Sequence, residues 1–140
     1  MRETKKLTVK ATDESMQTVN DFIHSVIPST ADEMVLNQID LAVEEIFVNI
    51  AHYSGSEEAE VFCDYEDREN GQGVIEISFT DSGKPFNPLE RPDPDITLSA
   101  EERDIGGLGI FLTKKFMDSV AYEYKDGKNC LRFRKRITQQ

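Results

Sequence analysis

The chain has 140 residues and a mass of 15.9 kDa, a size at which one hydrophobic core and a single domain over residues 1–140 are expected. Sixteen basic residues against 27 acidic ones leave a net charge of −11 at pH 7. This charge argues against direct nucleic-acid binding and against binding to an anionic membrane, because both need positive surface, and an anionic ligand would need a metal ion or backbone amides.

Hydrophobic periodicity predicts a series of strands and helices with one long loop. Apolar residues alternate with polar ones in the strands and recur every three or four residues in the helices. A capping-box pattern, Thr30 to Glu33, opens the second helix, which ends near Gly55. In chain order the elements are a strand at 4–11, helices at 14–27 and 31–53, strands around 59–65 and 75–79, a loop at 81–107, a helix at 107–118, and a closing hairpin with strands around 120–124 and 131–137.

This order of elements predicts an α+β fold. We expect a two-layer sandwich, with a mixed, mostly antiparallel sheet and the helices packed on one of its faces. The other face of the sheet would be partly exposed, which agrees with the alternation inside the strands. The loop at 81–107 contains four of the five prolines, and a loop of that length inside a compact domain is usually functional.

Cysteine usage and the absence of targeting patterns indicate a cytosolic protein. Cys63 and Cys130 fit no C-x-x-C pattern and are interpreted as reduced core thiols, with a bridge between them left open. No apolar run approaches the ~20 residues of a membrane span, and no apolar h-region follows the first residues. We therefore expect a soluble protein located in the cytoplasm.

The first motif that could carry chemistry lies on the second helix. Glu45 and Asn49 are four residues apart and His52 follows three later, so all three are expected on one flank. A carboxylate and an amide at this spacing offer hard oxygens that suit Mg²⁺, directly or through water. Taken alone, a solvated helix face with one amide at the core boundary explains the same residues better.

The second motif stands at the end of a strand, where Asp81 precedes Ser82 and Gly83. An aspartate at a strand's carboxyl end can accept a hydrogen bond from one exocyclic amine, and Gly83 would let a flat ligand approach the backbone. The same three residues are also ordinary turn chemistry.

The third motif, Gly106-Gly107-Leu108-Gly109, opens the third helix. Glycines at a helix start leave backbone N–H groups free to face an anion. Helix entry after a long loop explains the glycines almost as well. A dinucleotide-binding interpretation is poor, because a loop and not a strand precedes them.

Together and in this order, the three motifs resemble the ATP-binding domain shared by gyrase B, histidine kinases and related heat-shock chaperones. The segments EIFVN ending at Asn49, DSGKPFNP starting at Asp81 and GGLGI starting at Gly106 resemble the small anti-sigma-factor serine kinases of bacterial stress and sporulation switches. The resemblance covers nearly the whole chain, from the first strand to the last. It implies the histidine-kinase-like ATPase fold, with an ATP lid at about 86–106.

The resemblance also implies roles for individual residues, with ATP and Mg²⁺ as cofactors. The metal would be bound by Asn49, and Glu45 would be the catalytic general base. Adenine would be bound by Asp81 with Gly83 beside the ring. The remaining ATP-binding positions would be Gly107, Leu108 and Gly109 near the phosphates and Arg103 in the lid.

Three positions depart from the family pattern. Arg103 lies four residues before Gly107, whereas the family often has a basic residue close to the glycines. The last strand has Lys128, Asn129 and Cys130 where the family often has a small hydroxyl residue near adenine. His52 follows the helix asparagine by three residues instead of four, and is interpreted as a local hydrogen-bonding residue.

By resemblance, the function is that of an ATP-dependent serine kinase. In this family Mg-ATP supplies a phosphoryl group to a serine of an anti-sigma-factor antagonist, and the same kinase sequesters a sigma factor, commonly as a homodimer. The alternative is a non-catalytic switch in which ATP occupancy controls a partner-binding face. An acidic interaction domain without nucleotide would require all three motifs to be coincidental.

Overall fold

The computed structural model describes residues 3–68, 71–90 and 107–138. The helices and strands of the described chain follow one another in the order that periodicity predicts. They are β1 (Glu3–Lys10), α1 (Met16–Val26), α2 (Glu33–Asn49), β2 (Glu58–Arg68), β3 (Gln72–Asp81), α3 (Gly107–Phe116), β4 (Ser119–Lys125) and β5 (Lys128–Thr138).

The strands form a five-stranded sheet in the order β1-β2-β3-β5-β4. Every pairing of neighbouring strands among the described residues is antiparallel. The predicted α+β class is therefore confirmed, and the mostly antiparallel sheet proves to be antiparallel throughout this region. β3 lies at the centre, between β2 and β5, and ends at Asp81.

One cluster of buried apolar side chains fills the space between the sheet and the helices. Along β3, alternate residues are buried because successive side chains point to opposite faces of a strand. The rings of Phe79 and Phe133 stack with their centroids 6.3 Å apart, and Phe47 of α2 is fully buried. Each such side chain contributes roughly 1.5–3 kcal/mol by leaving water.

The second helix begins later than its capping-box pattern predicts. Asp32 is the N-cap, and its carboxylate accepts a hydrogen bond from the Val35 N–H at 3.3 Å. The backbone N–H of Asp32 donates instead to the carbonyl of Thr138 at the end of β5, 3.0 Å away, so this residue stays extended. The helix therefore starts at Glu33 and not at about residue 31.

The end of α2 changes its winding before the chain turns. After Asn49 the backbone continues as a π-helical turn, Ile50–Ser54, and Gly55 follows with a φ of 77°. Such turns are rare and often occur at functional sites. The predicted end near Gly55 is confirmed, because the left-handed conformation that closes the helix favours glycine.

The two cysteines lie on opposite faces of the sheet, which overturns the interpretation of both as core thiols. Cys63 is buried, and burial raises the pKa of its thiol to about 12. Cys130 is only partly buried. On β3 their partners are Ile77 and Thr80, three residues apart, so the two side chains point to opposite sides and form no bridge.

None of the helices in the ranges 3–68, 71–90 and 107–138 combines the length and apolar character needed to cross a bilayer.

Candidate functional site

The carboxylate of Asp81 lies buried at the end of β3, on the side of the sheet that faces the helices. Its side chain is 4% exposed. Oδ1 accepts two hydrogen bonds, from the Gly83 N–H at 2.9 Å and from the Asn129 amide Nδ2 at 3.1 Å. Among the described residues no hydrogen bond reaches Oδ2, so this oxygen remains available to a ligand.

Asp81 and Asn49 line the same cavity, although 31 positions of sequence separate them. Its other lining residues are mostly apolar, and they come from α2 and its π-helical turn, from β3, β4 and β5, and from the segment after Gly83. The cavity has a volume of about 20 Å³, which is room for roughly one water molecule. A cavity of this volume does not hold a flat base, so base binding at Asp81 requires the lining to rearrange.

A second, larger cavity adjoins the first and shares Asn49, Phe86 and Pro88 with it. Its volume is about 330 Å³, and Ile110 of α3 forms part of its wall. Tyr53, which is 47% exposed, packs its ring against Phe86 with the centroids 5.5 Å apart. The small cavity at Asp81 therefore adjoins a larger, mainly apolar space beside α3.

Asn49 and Glu45 are brought together as the i, i+4 spacing predicts. The Asn49 Nδ2 donates to the Glu45 carbonyl at 2.8 Å and to the Glu45 Oε1 at 3.2 Å. Both bonds use the amide nitrogen, so the Oδ1 of the buried Asn49 is left for a ligand. No group of three or more metal-binding side chains occurs in the described part of the chain. Asn49 Oδ1 could therefore hold Mg²⁺ only together with phosphate oxygens and water, as is usual for this ion.

The side chain of Glu45 extends from α2 towards the beginning of α3. A Cβ added to Gly109 would stand 2.2 Å from the Oε2 and 2.7 Å from the Cγ of Glu45, so a larger residue would force this side chain to move. The Thr113 hydroxyl donates to the Gly109 carbonyl at 2.8 Å. Close packing at Gly109 thus places the predicted base beside the helix start that was predicted to bind phosphate.

The structure explains the glycine at position 83 differently from the sequence-based prediction. A Cβ at this position would lie 2.1 Å from the carbonyl oxygen of Ser54, and the next residue, Lys84, donates its N–H to that oxygen at 3.0 Å. Glycine is therefore required because the π-helical turn packs against it. A contact between Gly83 and a bound base stays a prediction.

His52 is not brought to the two cavities. Its Nε2 lies 2.9 Å from the Asp13 Oδ1, in the turn before α1. The prediction of one common flank assumed α-helical winding through residue 52, and the π-helical turn begins at Ile50. The interpretation of His52 as a local hydrogen-bonding residue is confirmed.

Parts of the predicted phosphate site lie outside the described residues. Arg103, Gly106 and most of the predicted lid, from residue 91 to residue 106, belong to this part of the chain. Gly107 and Leu108 form the first turn of α3. The roles of Arg103, Gly107 and Leu108 towards phosphate therefore stay predictions.

Asn129 and Tyr122 belong to the site but were not singled out from the sequence. Asn129 is 5% exposed and faces Asp81 directly across the β3–β5 pairing. The Tyr122 hydroxyl donates to the Asn129 Oδ1, and burial is the main cause that raises the Tyr122 pKa. The only signal in the sequence was that Asn129 lies in the three-residue stretch, Lys128 to Cys130, where a small hydroxyl residue was expected.

Comparisons with known proteins bear on the family and the fold. A family model described as the histidine kinase-like ATPase domain matches residues 9–135. The chain is 31% identical over 101 residues to the serine-protein kinase RsbW of Listeria monocytogenes, an alignment that covers 66% of this chain. It is 28% identical over 57 residues to the serine/threonine-protein kinase BtrW of Bordetella bronchiseptica, which covers 41% of this chain.

The chain spans 60% of the length of the Listeria relative and 40% of the Bordetella relative. A crystal structure of the RsbU and RsbW domains of a Mycobacterium tuberculosis protein is similar over 99% of this chain and 33% of that one. The TM-score is 0.63 at 14% sequence identity, so this likeness bears on the fold alone.

Proposed function

Because this chain belongs to the histidine kinase-like ATPase domain family, we propose that it binds ATP with Mg²⁺ and transfers the terminal phosphoryl group to a serine of a partner protein. The observation that carries the proposal is the pair of uncommitted oxygens in one cavity. Asn49 offers Oδ1 and Asp81 offers Oδ2, while every other polar atom of both side chains is already hydrogen-bonded.

The apolar lining of the inner cavity suits a purine ring. Ile46, Ile50, Phe79 and Leu131 surround the approach to Asp81. A flat base would contact these side chains, and its exocyclic amine would donate to the Asp81 Oδ2. A carbonyl at the same place would meet an acceptor with no donor, so adenine is preferred to guanine.

The larger cavity would hold the ribose and the phosphates. Asn49 Oδ1 would bind Mg²⁺, which supplies positive charge to the β- and γ-phosphates when it is bound. The backbone N–H groups at Gly107 and Gly109 would face the phosphates at the beginning of α3. In a chain of net charge −11, both contributions are needed to hold a triphosphate.

Glu45 would remove the proton from the attacking serine hydroxyl. Its Oε1 accepts from Asn49, and its Oε2 lies over Gly109, so the carboxylate is positioned between the metal ligand and the helix start. General-base assistance of this kind is typically worth ~10²–10⁴-fold in rate. Positioning of the reactants supplies much of the remaining rate enhancement in phosphoryl transfer.

For the partner we propose an anti-sigma-factor antagonist as phosphoryl acceptor and a sigma factor as the sequestered protein, in the cytoplasm. This assignment rests on the resemblance to the small anti-sigma-factor serine kinases. Similarity to the Listeria and Bordetella kinases supports the serine-kinase activity.

A second candidate function, an ATP-gated switch without catalysis, is favoured by the small inner cavity. A volume of about 20 Å³ does not admit adenine. Base binding must therefore displace the segment that carries Phe86 and Pro88, and such a displacement could expose or hide a partner-binding face.

Glu45→Gln separates the two functions. This change keeps size and polarity but removes the carboxylate base, so Mg-ATP binding should stay near wild type while phosphoryl transfer falls by ~10²–10⁴-fold. The measurements are calorimetric titration with Mg-ATP and transfer of label from ATP to serine of candidate antagonist proteins.

Glu44→Gln is the matched control, because Glu44 is the neighbouring residue on the same helix and is exposed. It should behave like wild type in both assays. Unchanged transfer by Glu45→Gln would disprove the base assignment. Binding of ATP and partner by wild type without transfer to any candidate would favour the switch.

A further inference from the structure

The side chain of Asn129 uses its full hydrogen-bonding capacity at the nucleotide pocket. Its Nδ2 donates to the Asp81 Oδ1 at 3.1 Å and to the Lys84 carbonyl at 2.8 Å. Its Oδ1 accepts from the Phe86 N–H at 2.9 Å and from the Tyr122 hydroxyl. Two donors and two acceptors surround an amide that has two of each to offer.

These partners determine which way the amide points. The Phe86 N–H can only donate, and the Lys84 carbonyl can only accept. Rotating the amide by a half-turn would place its nitrogen against the Phe86 N–H and its oxygen against the Lys84 carbonyl. The observed orientation therefore places a donor, Nδ2, against Asp81.

This donor determines how Asp81 meets a ligand. With Oδ1 held by Asn129 and by the Gly83 N–H, the carboxylate cannot rotate without breaking two hydrogen bonds. A buried unmet bond of this kind costs ~1–3 kcal/mol. Only Oδ2 is left to accept from a ligand, so Asp81 presents one acceptor in one direction.

The same amide anchors one wall of the pocket. Lys84 and Phe86 flank Pro85, and both are bound through their backbones to Asn129. The Phe86 N–H also lies 3.2 Å from the Tyr122 hydroxyl. The position of the wall and the orientation of Asp81 therefore depend on a single side chain of β5.

We propose that Asn129 is a positioning residue for adenine recognition, which orients Asp81 so that Oδ2 alone faces the base and anchors the Lys84–Phe86 wall against β5. This inference rests on the proposed ATP binding. It adds a residue that acts through Asp81 and does not itself contact the base.

Asn129→Asp tests this role, because it keeps the shape of the side chain and replaces the NH₂ group that donates to Asp81 and Lys84 with a charged acceptor oxygen. At about pH 8 two carboxylates would face each other, and we expect Mg-ATP affinity to fall about 10- to 100-fold. At about pH 5.5 the pair would share a proton, which restores one donor, so affinity should recover in part. Calorimetric titration at both pH values measures the two affinities.

The pH assignment depends on the groups around position 129. Asp81 on β3 and Tyr122 on β4 are in direct contact, and Glu90 and Tyr124 act on Tyr122 from farther away. From α2, the cavity receives Ile46 and Asn49, neither of which titrates. Because burial raises the Tyr122 pKa, Tyr122 stays protonated over this pH range, and the recovery reports on the carboxylate pair.

Asn37→Asp is the matched control, because it makes the same change of charge at an exposed position of α2 in a groove away from the site. Its affinity relative to wild type should be the same at both pH values. Wild-type affinity of Asn129→Asp at about pH 8 would overturn the proposal. A loss that lowering the pH does not reduce would also overturn it, since it would indicate a purely structural effect.

A readout without nucleotide separates this proposal from the proposed function. Asn129→Asp should lower the melting temperature of the free protein, and the exchange variant Asn129→Asp with Asp81→Asn should restore part of it by re-forming an amide–carboxylate pair. The exchange variant should still bind Mg-ATP poorly, because position 81 then carries an amide. If wild type failed to bind ATP, the proposed function would fall, while absence of rescue in the melting experiment would overturn the Asn129–Asp81 contact itself.

Discussion

At the scale of single residues, the site is characterised by which polar atoms are already in use. Asn49 and Asp81 are both buried, and each has one atom engaged by the protein and one oxygen left over. Among the described residues the fully buried side-chain atom without a partner is Asn20 Oδ1, so the free oxygens of Asn49 and Asp81 reach the cavity and can contact a ligand there. Burial alone would not have identified them, because many residues of the core are equally buried.

Asp81→Asn should abolish the preference for adenine. The change keeps the shape of the side chain but places an amide where the carboxylate faces the base. In the variant, the new amide at position 81 would also lie against the amide of Asn129. We expect ATP affinity to fall by about 10- to 100-fold, with no preference for ATP over GTP remaining. Competition titrations with ATP and GTP measure the nucleotide preference of wild type and variant. If wild type bound GTP as tightly as ATP, Asp81 would not be the residue that recognises adenine.

Sequence patterns predicted Asn49, Glu45 and Asp81 but missed Asn129. Glu45 and Asn49 form an i, i+4 pair and Asp81 ends a strand, so all three can be recognised from the sequence around them. Asn129 becomes important only through the register of β5 against β3, which places it opposite Asp81. A shift of one residue would turn its side chain to the other face of the sheet, and periodicity does not determine the register between distant strands.

At the scale of elements, the contact between α2 and α3 depends on one glycine. The Glu45 side chain occupies the space where Gly109 would carry a Cβ. The sequence predicted both residues as functional, for separate reasons. The structure shows that they are also a packing pair, so part of the glycine motif is explained by helix contact.

Gly109→Ala should therefore destabilise the protein. The added methyl group would lie 2.2 Å from the Oε2 and 2.7 Å from the Cγ of Glu45, so the whole side chain or α3 must move, at a cost of about 1–3 kcal/mol. Urea unfolding measures the loss. The double variant Gly109→Ala with Glu45→Ala serves as control and should regain most of the stability lost by Gly109→Ala, because the shortened side chain relieves the clash.

Element boundaries show where local patterns fail. The capping-box pattern placed the start of the second helix too early, because the N–H of Asp32 bonds to the end of β5. The π-helical turn at Ile50–Ser54 was not predicted, since its apolar residues continue the stripe of α2. Both differences come from contacts with distant parts of the chain.

At the scale of the whole molecule, the sign of the charge determines how ATP can bind. A chain of net charge −11 repels a triphosphate. Acidic residues are dense in and beside the predicted lid: Glu90, Asp93, Asp95, Glu101, Glu102 and Asp104. Tight binding therefore requires a cation between protein and phosphates.

We predict magnesium-dependent ATP binding that Asn49→Ala largely abolishes. Removal of Mg²⁺ with excess chelator should weaken wild-type binding by at least about tenfold, since Coulomb repulsion is then unscreened at close range. The variant should show little further loss with chelator. Asn37→Ala is the control and should follow wild type, and equal affinity of wild type with and without Mg²⁺ would contradict the role of Asn49.

The family could be inferred from the sequence because its three motifs occur in a fixed order, and the match over residues 9–135 confirms it. The fold class followed from the order of strands and helices. The order of motifs could not predict the small volume of the inner cavity, about 20 Å³, because that volume depends on how side chains from several distant elements pack together.

The strand order also has a consequence for how the protein folds. β2 with β3 and β4 with β5 are neighbours in sequence and in space, so these pairs can form with little loss of chain entropy. The β3–β5 pairing joins strands with residues 82–127 between them, and such distant pairings form more slowly. Asp81 and Asn129 come together only in the β3–β5 pairing. An intermediate in which only the β2–β3 and β4–β5 pairs have formed therefore has no adenine site. Nucleotide binding would then stabilise the native state alone, and a rise in melting temperature with ATP concentration would report the fully assembled sheet.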